Sequence, residues 1–193
     1  MYAFIRGKLA EVTPTYVVIE NQGIGYFINI TVNTYSQIKD LKEVSLFTHL
    51  VVREDAHILY GFAKENERQL FLMLITVSGV GANTARLILS SLSTEETYTA
   101  ITQGNTMVLQ GVKGIGGKTA QRIIIDLRDK LIKQDIKLEK IPSGHNTLKN
   151  EALSGLLILG FNKTTAEKAV NKVLKQTEIN SVELLIKEAL KIL

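Results

Sequence analysis

The residues best placed to do chemistry sit at two glycine corners. Residues 74–89 read LITVSGVGANTARLIL, and residues 109–124 read LQGVKGIGGKTAQRII, a constant 35 positions later. Leu74/Leu109, Val77/Val112, Gly79/Gly114, Gly81/Gly116, Thr84/Thr119, Ala85/Ala120 and Ile88/Ile123 are identical pairs. Each copy has the shape helix, Gly-apolar-Gly, helix. Glycine suits a turn that needs positive φ, or a backbone that something large must approach. The first amides of the second helix lack intrahelical partners, and the helix dipole adds partial positive charge there. The chemistry on offer is therefore capture of an anion, and a phosphate fits it. In the second copy Lys118 and Arg122 are four apart, on one helix face beside that site. The first copy has Asn83 and Leu87 in those places, so the second should hold phosphate more tightly.

The elements that must position these corners are short helices. A plain αα-hairpin with glycine at its bend would explain one copy; two copies with matched glycines favour phosphate. A repeat of this length used twice is no solenoid, which needs about three units to bury a core. Residues 111–119, GVKGIGGKT, also imitate a nucleotide-binding loop. That loop needs glycine five residues before the Gly-Lys-Thr, and Val112 stands there, so nucleotide hydrolysis is rejected.

A second polar feature is Arg53-Glu54-Asp55-Ala56, where two adjacent carboxylates fall at a hairpin tip. By pattern they are solvated turn residues. Beside a phosphate-gripping module, the same pair would repel a DNA strand that came too near.

Composition narrows the rest. The chain has 193 residues, 45% of them apolar, and a net charge of +4. The charge is −1 over residues 1–63, +3 over 64–134 and +2 over 135–193, so the excess is largest around the glycine corners. No cysteine is present, which suits a reducing cytoplasm and leaves no thiolate metal site. His49, His57 and His145 are scattered, so neither metal nor cofactor is expected. No run is long enough for a membrane span, and residues 1–12 lack the shape of a signal peptide.

Taken in order, residues 1–62 read as five short strands (2–10, 15–20, 25–32, 44–53 and 57–62), with a short helix over 33–38. Five strands in this length predict a small closed barrel of the OB type. Helical periodicity begins at Lys64. Ser93-x-x-Glu96 is a capping box, Gly104 ends that helix, and a longer helix runs to about Lys133. Residues 135–149 lose the apolar rhythm and contain Pro142, Ser143 and Gly144, which predicts a flexible linker. Residues 150–193 predict three short helices, the later two capped at Thr164 and Asn180. The expected organisation is an α+β chain: barrel 1–63, tandem hairpins 64–134, linker 135–149 and three-helix domain 150–193. Leu159-Gly160-Phe161, between the first two helices of that last domain, would either expose an apolar patch for a partner or bury Phe161 in its core.

A barrel ending in VVREDAHILYGF, the paired GVG and GIGGKTAQRII turns, a linker and a three-helix unit with LGF together resemble the RuvA family over the whole chain. The resemblance implies an OB-fold domain, a tandem helix-hairpin-helix domain and a mobile, UBA-like C-terminal domain that contacts the RuvB ATPase. It implies a non-catalytic subunit that binds Holliday junctions as a homotetramer, singly or as two tetramers face to face, with the RuvC nuclease as a further partner. Glu54 and Asp55 would then be an acidic pin at the crossover. Gly79, Gly81, Gly114 and Gly116 would present amides to phosphates, with Lys118, Thr119 and Arg122 beside them.

Two other readings remain open at this stage. Helix-hairpin-helix turns also occur in DNA glycosylases, for which Asp126 would be the nearest carboxylate. A single-strand binder would instead stack bases on Tyr26, Phe27 or Tyr35.

Overall fold

The structure is a computed structural model that describes residues 2–134, 144–176, 179 and 181–193. The chain forms two compact units, residues 1–138 and 139–193.

The first unit opens with a closed barrel of strands β1 (Phe4–Val12), β2 (Tyr16–Asn21), β3 (Ile24–Ile30), β4 (Glu43–Val52) and β5 (His57–Phe62). Their order is β1-β2-β3-β5-β4, with β4 closing onto β1. The β3–β5 pair is parallel and the others antiparallel. Alternation drives this arrangement. Val17 and Ile19 point inward from β2, Ile28 and Ile30 from β3, Val44 and Leu46 from β4, and all are buried. Gly7 is required where β1 meets β2, because a Cβ there would lie 2.1 Å from the Glu20 carbonyl oxygen. Helix α1 (Val32–Ile38) follows β3 and is capped by Thr31, whose side chain accepts from the Thr34 N–H.

Five helices complete the unit: α2 (Glu65–Leu74), α3 (Ala82–Ser91), α4 (Thr94–Thr102), α5 (Thr106–Gln110) and α6 (Gly117–Gln134). The predicted capping box at Ser93 and Glu96 is present in both directions. Gly104 ends α4 at φ +72, with Asn105 N–H bonding to the Ala100 carbonyl. The passage from strand to helix at residue 63 leaves no gap between cores. Phe71 of α2 packs with ring centroids 5.2 Å from Tyr60 and 4.9 Å from Phe62, both at the end of β5.

A buried carboxylate reinforces this junction. Glu67 of α2 is 2% exposed and accepts hydrogen bonds from the hydroxyls of Thr31 and Thr34. Thr34 Oγ1 in turn accepts from the Ala63 N–H at 3.0 Å, so the hairpin helix is tied to the barrel helix. Burial raises the Glu67 pKa, and the two threonine hydroxyls oppose that shift. Glu95 nearby adds to the rise and Lys64 reduces it.

The second unit contains α7 (Gly144–Ile158), α8 (Lys163–Gln176) and α9 (Val182–Leu190). Its interior is built from small and branched residues: Ala152, Leu156, Ala166, Ala169, Val170, Val173, Leu185 and Ala189. Three expectations need correction here. Residues 144–149, assigned to the linker, belong to α7, because the stripe anchored by Ala152 and Leu156 pulls the preceding polar turns into one helix. The rest of that linker, residues 135–143, lies outside the described residues. Asn162, not Thr164, caps α8: its Oδ1 accepts from the Thr164 N–H at 2.9 Å. Ser181 caps α9, and Asn180, the predicted cap, lies outside the described residues.

Glu67 makes a pH prediction. A carboxyl with a raised folded pKa binds its proton more tightly in the native state than in the unfolded chain. Its contribution is greatest below the ordinary value of 4.5 and is lost as pH rises through the window above it. Denaturation of the parent and of Glu67→Gln from about pH 4 to about pH 7 should show the parent losing stability relative to the variant as pH rises. A difference independent of pH would contradict the assignment.

Candidate nucleic-acid interface

The two glycine corners have the same geometry. In the first, Val80 N–H bonds to the Val77 carbonyl at 3.0 Å, and Gly79 sits at the third turn position with φ +90. In the second, Ile115 N–H bonds to Val112 at 3.0 Å, and Gly114 has φ +89. A type II turn needs this positive φ at its third residue. The apolar residue that follows each turn is buried: Val80 is 4% exposed and Ile115 5%. Driving that side chain inward leaves both glycines of each corner exposed.

Gly81 and Gly116 have a different explanation. Neither has a left-handed φ, and a Cβ on either would meet nothing within 4 Å. Packing and conformation would both admit alanine, so neither a close contact nor a left-handed φ within the protein accounts for glycine there. Gly81 is the N-cap of α3 and offers no side chain to its amides, unlike Thr31, Ser93, Asn105 and Ser181 at other helix starts. The Ala82, Asn83 and Thr84 amides therefore begin α3 without a cap. Gly116 stands in the same place: its carbonyl accepts from Ala120 N–H at 2.9 Å, as Gly81 does from Ala85.

The charged neighbours are arranged unequally. Lys118 is exposed on the first turn of α6, and Thr119 beside it is half-buried. Arg122 is exposed but reaches across: its Nη1 donates to the Ser78 carbonyl at 3.2 Å and to Ser78 Oγ at 3.3 Å, at the other corner. Around the first copy, polar groups turn toward the barrel. Asn83 Oδ1 accepts from the Tyr60 hydroxyl at 3.1 Å. Arg86 Nη1 donates to the Thr15 carbonyl at 3.0 Å and to Asn29 Oδ1 at 3.1 Å.

Glu54 and Asp55 lie at the apex of the β4–β5 hairpin, closed by Arg53 N–H on the Ala56 carbonyl at 2.9 Å. Both are exposed, and among the described residues no cation pairs with either.

Comparison with known proteins decides the family. Residues 1–61 match the RuvA N-terminal domain, residues 71–129 the SAM-like helix-hairpin-helix tandem and residues 147–193 the RuvA C-terminal domain. A Christiangramia forsetii protein described as Holliday junction branch migration complex subunit RuvA is 52% identical, over 99% of both chains. Relatives with the same description from Flavobacterium psychrophilum and Cytophaga hutchinsonii are 48% and 46% identical, again over 99% of each chain. The chain belongs to the RuvA family.

In the second unit of this RuvA-family chain, the Leu-Gly-Phe segment is a helix stop. Gly160, at φ +94, donates to the Leu157 carbonyl at 3.0 Å, and Phe161 donates to Leu156 at 3.1 Å. That is the bonding of a Schellman cap, which accounts for the glycine. Phe161 is half-buried against the core, while Leu159 is exposed. Sequence reasoning missed Ile158, which at 86% exposed is the barest apolar residue among the described residues of this unit. It also missed Tyr60, Arg86 and Ser78 as partners of the hairpins. The aromatic candidates are already engaged: Phe27 stacks on Tyr16 at 4.6 Å, and Tyr26 meets Tyr2 edge-on. Tyr35 packs against the barrel core.

The two glycines of one corner should respond differently to substitution. Gly79→Ala forces a left-handed φ on alanine and should cost about 1–2 kcal/mol of stability. Gly81→Ala should stay within about 0.5 kcal/mol of the parent. Urea denaturation midpoints check both, and equal losses would refute the distinction.

Proposed function

We propose that this chain binds four-way DNA junctions through their phosphate backbones as a homotetramer, holds them open and recruits the RuvB ATPase for branch migration. The observation that carries the proposal is the duplicated corner, where open glycines and uncapped helix amides face outward beside Lys118, Thr119 and Arg122. Backbone amides and cations at this spacing grip phosphates and read no bases, so recognition follows junction shape. The relatives' shared description, a branch migration complex subunit, supports the same reading. The subunit is non-catalytic and needs no cofactor; the motor supplies the work, and RuvC is a further partner of the complex.

The acidic apex completes the mechanism. A fourfold assembly brings four copies of Glu54 and Asp55 to the crossover, and carboxylate–phosphate repulsion there discourages strands from re-pairing along their original arms. The apolar residues before the Gly160 stop, Leu157, Ile158 and Leu159, are the surface offered to RuvB, with Phe161 anchoring the cap behind them.

Gel shift of a four-way junction against a linear duplex, with the mass of the complex measured, tests the reading. Tighter binding to the junction by four or eight chains is expected; equal affinity for the two substrates overturns it. Each lost phosphate contact shallows log K against log salt by about 0.9. Lys118→Ala with Arg122→Ala should therefore flatten the slope and leave sequence preference unchanged, and an unaltered slope removes the pair from the interface. Glu54→Gln with Asp55→Asn should preserve or strengthen DNA binding while lowering preference for the junction. Uniformly weaker binding would count against repulsion at the apex.

A further inference from the structure

The two corners are not independent sites. The first copy has neither of the cations that flank the second: Asn83 replaces Lys118, Leu87 replaces Arg122, and Asn83 is committed to Tyr60. Its one arginine, Arg86, is half-buried and turned to the barrel, where Nη1 donates to Thr15 and Asn29, whereas Arg122 is exposed. The cation that does reach the first corner comes from the other copy. Arg122 holds the carbonyl and hydroxyl of Ser78, the residue immediately before Gly79.

We infer that Arg122 is the phosphate-binding cation of the first corner, supplied in trans by the second hairpin and positioned by Ser78. The inference rests on the phosphate reading above and assigns the charge within it. Both bonds to Ser78 use Nη1, which leaves the donors on Nη2 and Nε of an exposed guanidinium for a phosphate. Lys118, by contrast, stands on the second corner's own helix and serves that corner alone. The bracket has no counterpart in reverse. The positions equivalent to Arg122 and Ser78 are Leu87 and Lys113, and an alkyl chain cannot donate to a lysine's carbonyl. One guanidinium from the second hairpin thus completes the first seat.

A double-mutant cycle on junction affinity tests this. Gly81→Ala obstructs the first corner without meeting any protein atom, and melting curves verify that it folds as the parent does. Gly81→Ala, Arg122→Ala and Lys118→Ala should each weaken binding by about tenfold. Gly81→Ala with Lys118→Ala should multiply to about a hundredfold, since they act at different corners. Gly81→Ala with Arg122→Ala should stay near tenfold to thirtyfold, because both act on the same seat. Ser78→Ala should weaken binding by about threefold in the parent and have no effect once Arg122 is alanine. A merely structural Ser78 would act equally in both backgrounds. Multiplicative losses for Gly81→Ala with Arg122→Ala would overturn this inference and leave the phosphate reading intact. If Gly81→Ala and Gly116→Ala both left affinity unchanged, the phosphate reading would fall and this inference with it.

Discussion

Everything outward-facing at the hairpins depends on one inward-facing constraint: the residue after each turn glycine must reach the core. Burying a valine or isoleucine side chain is worth about 1.5–3 kcal/mol. A left-handed residue with a Cβ costs about 1–2 kcal/mol. With any other residue at 79 or 114 the two effects would nearly cancel. Glycine removes the penalty, so burial of Val80 and Ile115 fixes the turn. Once that anchor is set, the next glycine and the first helix amides have nowhere to point except away from the protein. The open corner is a by-product of core packing, formed twice because the packing is repeated.

A seat is useful only on a frame that does not shift, and here the two copies are held by different means. The first is bound to the barrel by polar contacts and one aromatic cluster. Phe71 packs among Tyr60 and Phe62, Glu67 takes two threonine hydroxyls, Tyr60 reaches Asn83, and Arg86 holds Thr15 and Asn29. In the second copy α6 packs on α4 and α5, and its Ile123, Ile124 and Leu127 are buried. Those bonds turn the polar groups of the first copy toward the barrel. That division explains why Lys118 is free in the second copy while its counterpart Asn83 is engaged in the first. The acidic hairpin is the far end of β4 and β5, and β5 delivers Tyr60 and Phe62. Barrel apex and glycine corners therefore belong to one packed frame.

How much of this could be read in the sequence followed the range of each interaction. The corners were legible because identity recurs at a fixed interval, and the barrel because β-strand alternation is local. The capping box at Ser93 was legible because both partners lie three residues apart. Local signals failed where several frames fit the same pattern: Thr164-x-x-Glu167 imitates a capping box, yet Asn162 two residues earlier holds the amide. The linker was overextended because residues 144–149 carry one large apolar side chain, Leu148, and only Ala152 and Leu156 beyond them reveal the helix. Contacts distant in sequence left no trace at all. Tyr60 and Asn83 are 23 residues apart, Ser78 and Arg122 are 44 apart, and no spacing rule connects either pair.

The C-terminal unit turns the same logic around. Its helices approach closely because alanine fills much of their contact: Ala152, Ala166, Ala169 and Ala189 are all buried. Gly155 tightens it further, since a Cβ there would come 2.8 Å from Ile186 Cδ1. A core this thin cannot take in every apolar side chain that three short helices carry. Leu157, Ile158, Leu159, Leu184, Leu190 and Ile192 remain exposed as a result. Larger core residues would force the helices apart, and a mutation that merely removed the exposed ones would leave the fold standing. Apolar surface kept under those terms does not serve the unit's own stability.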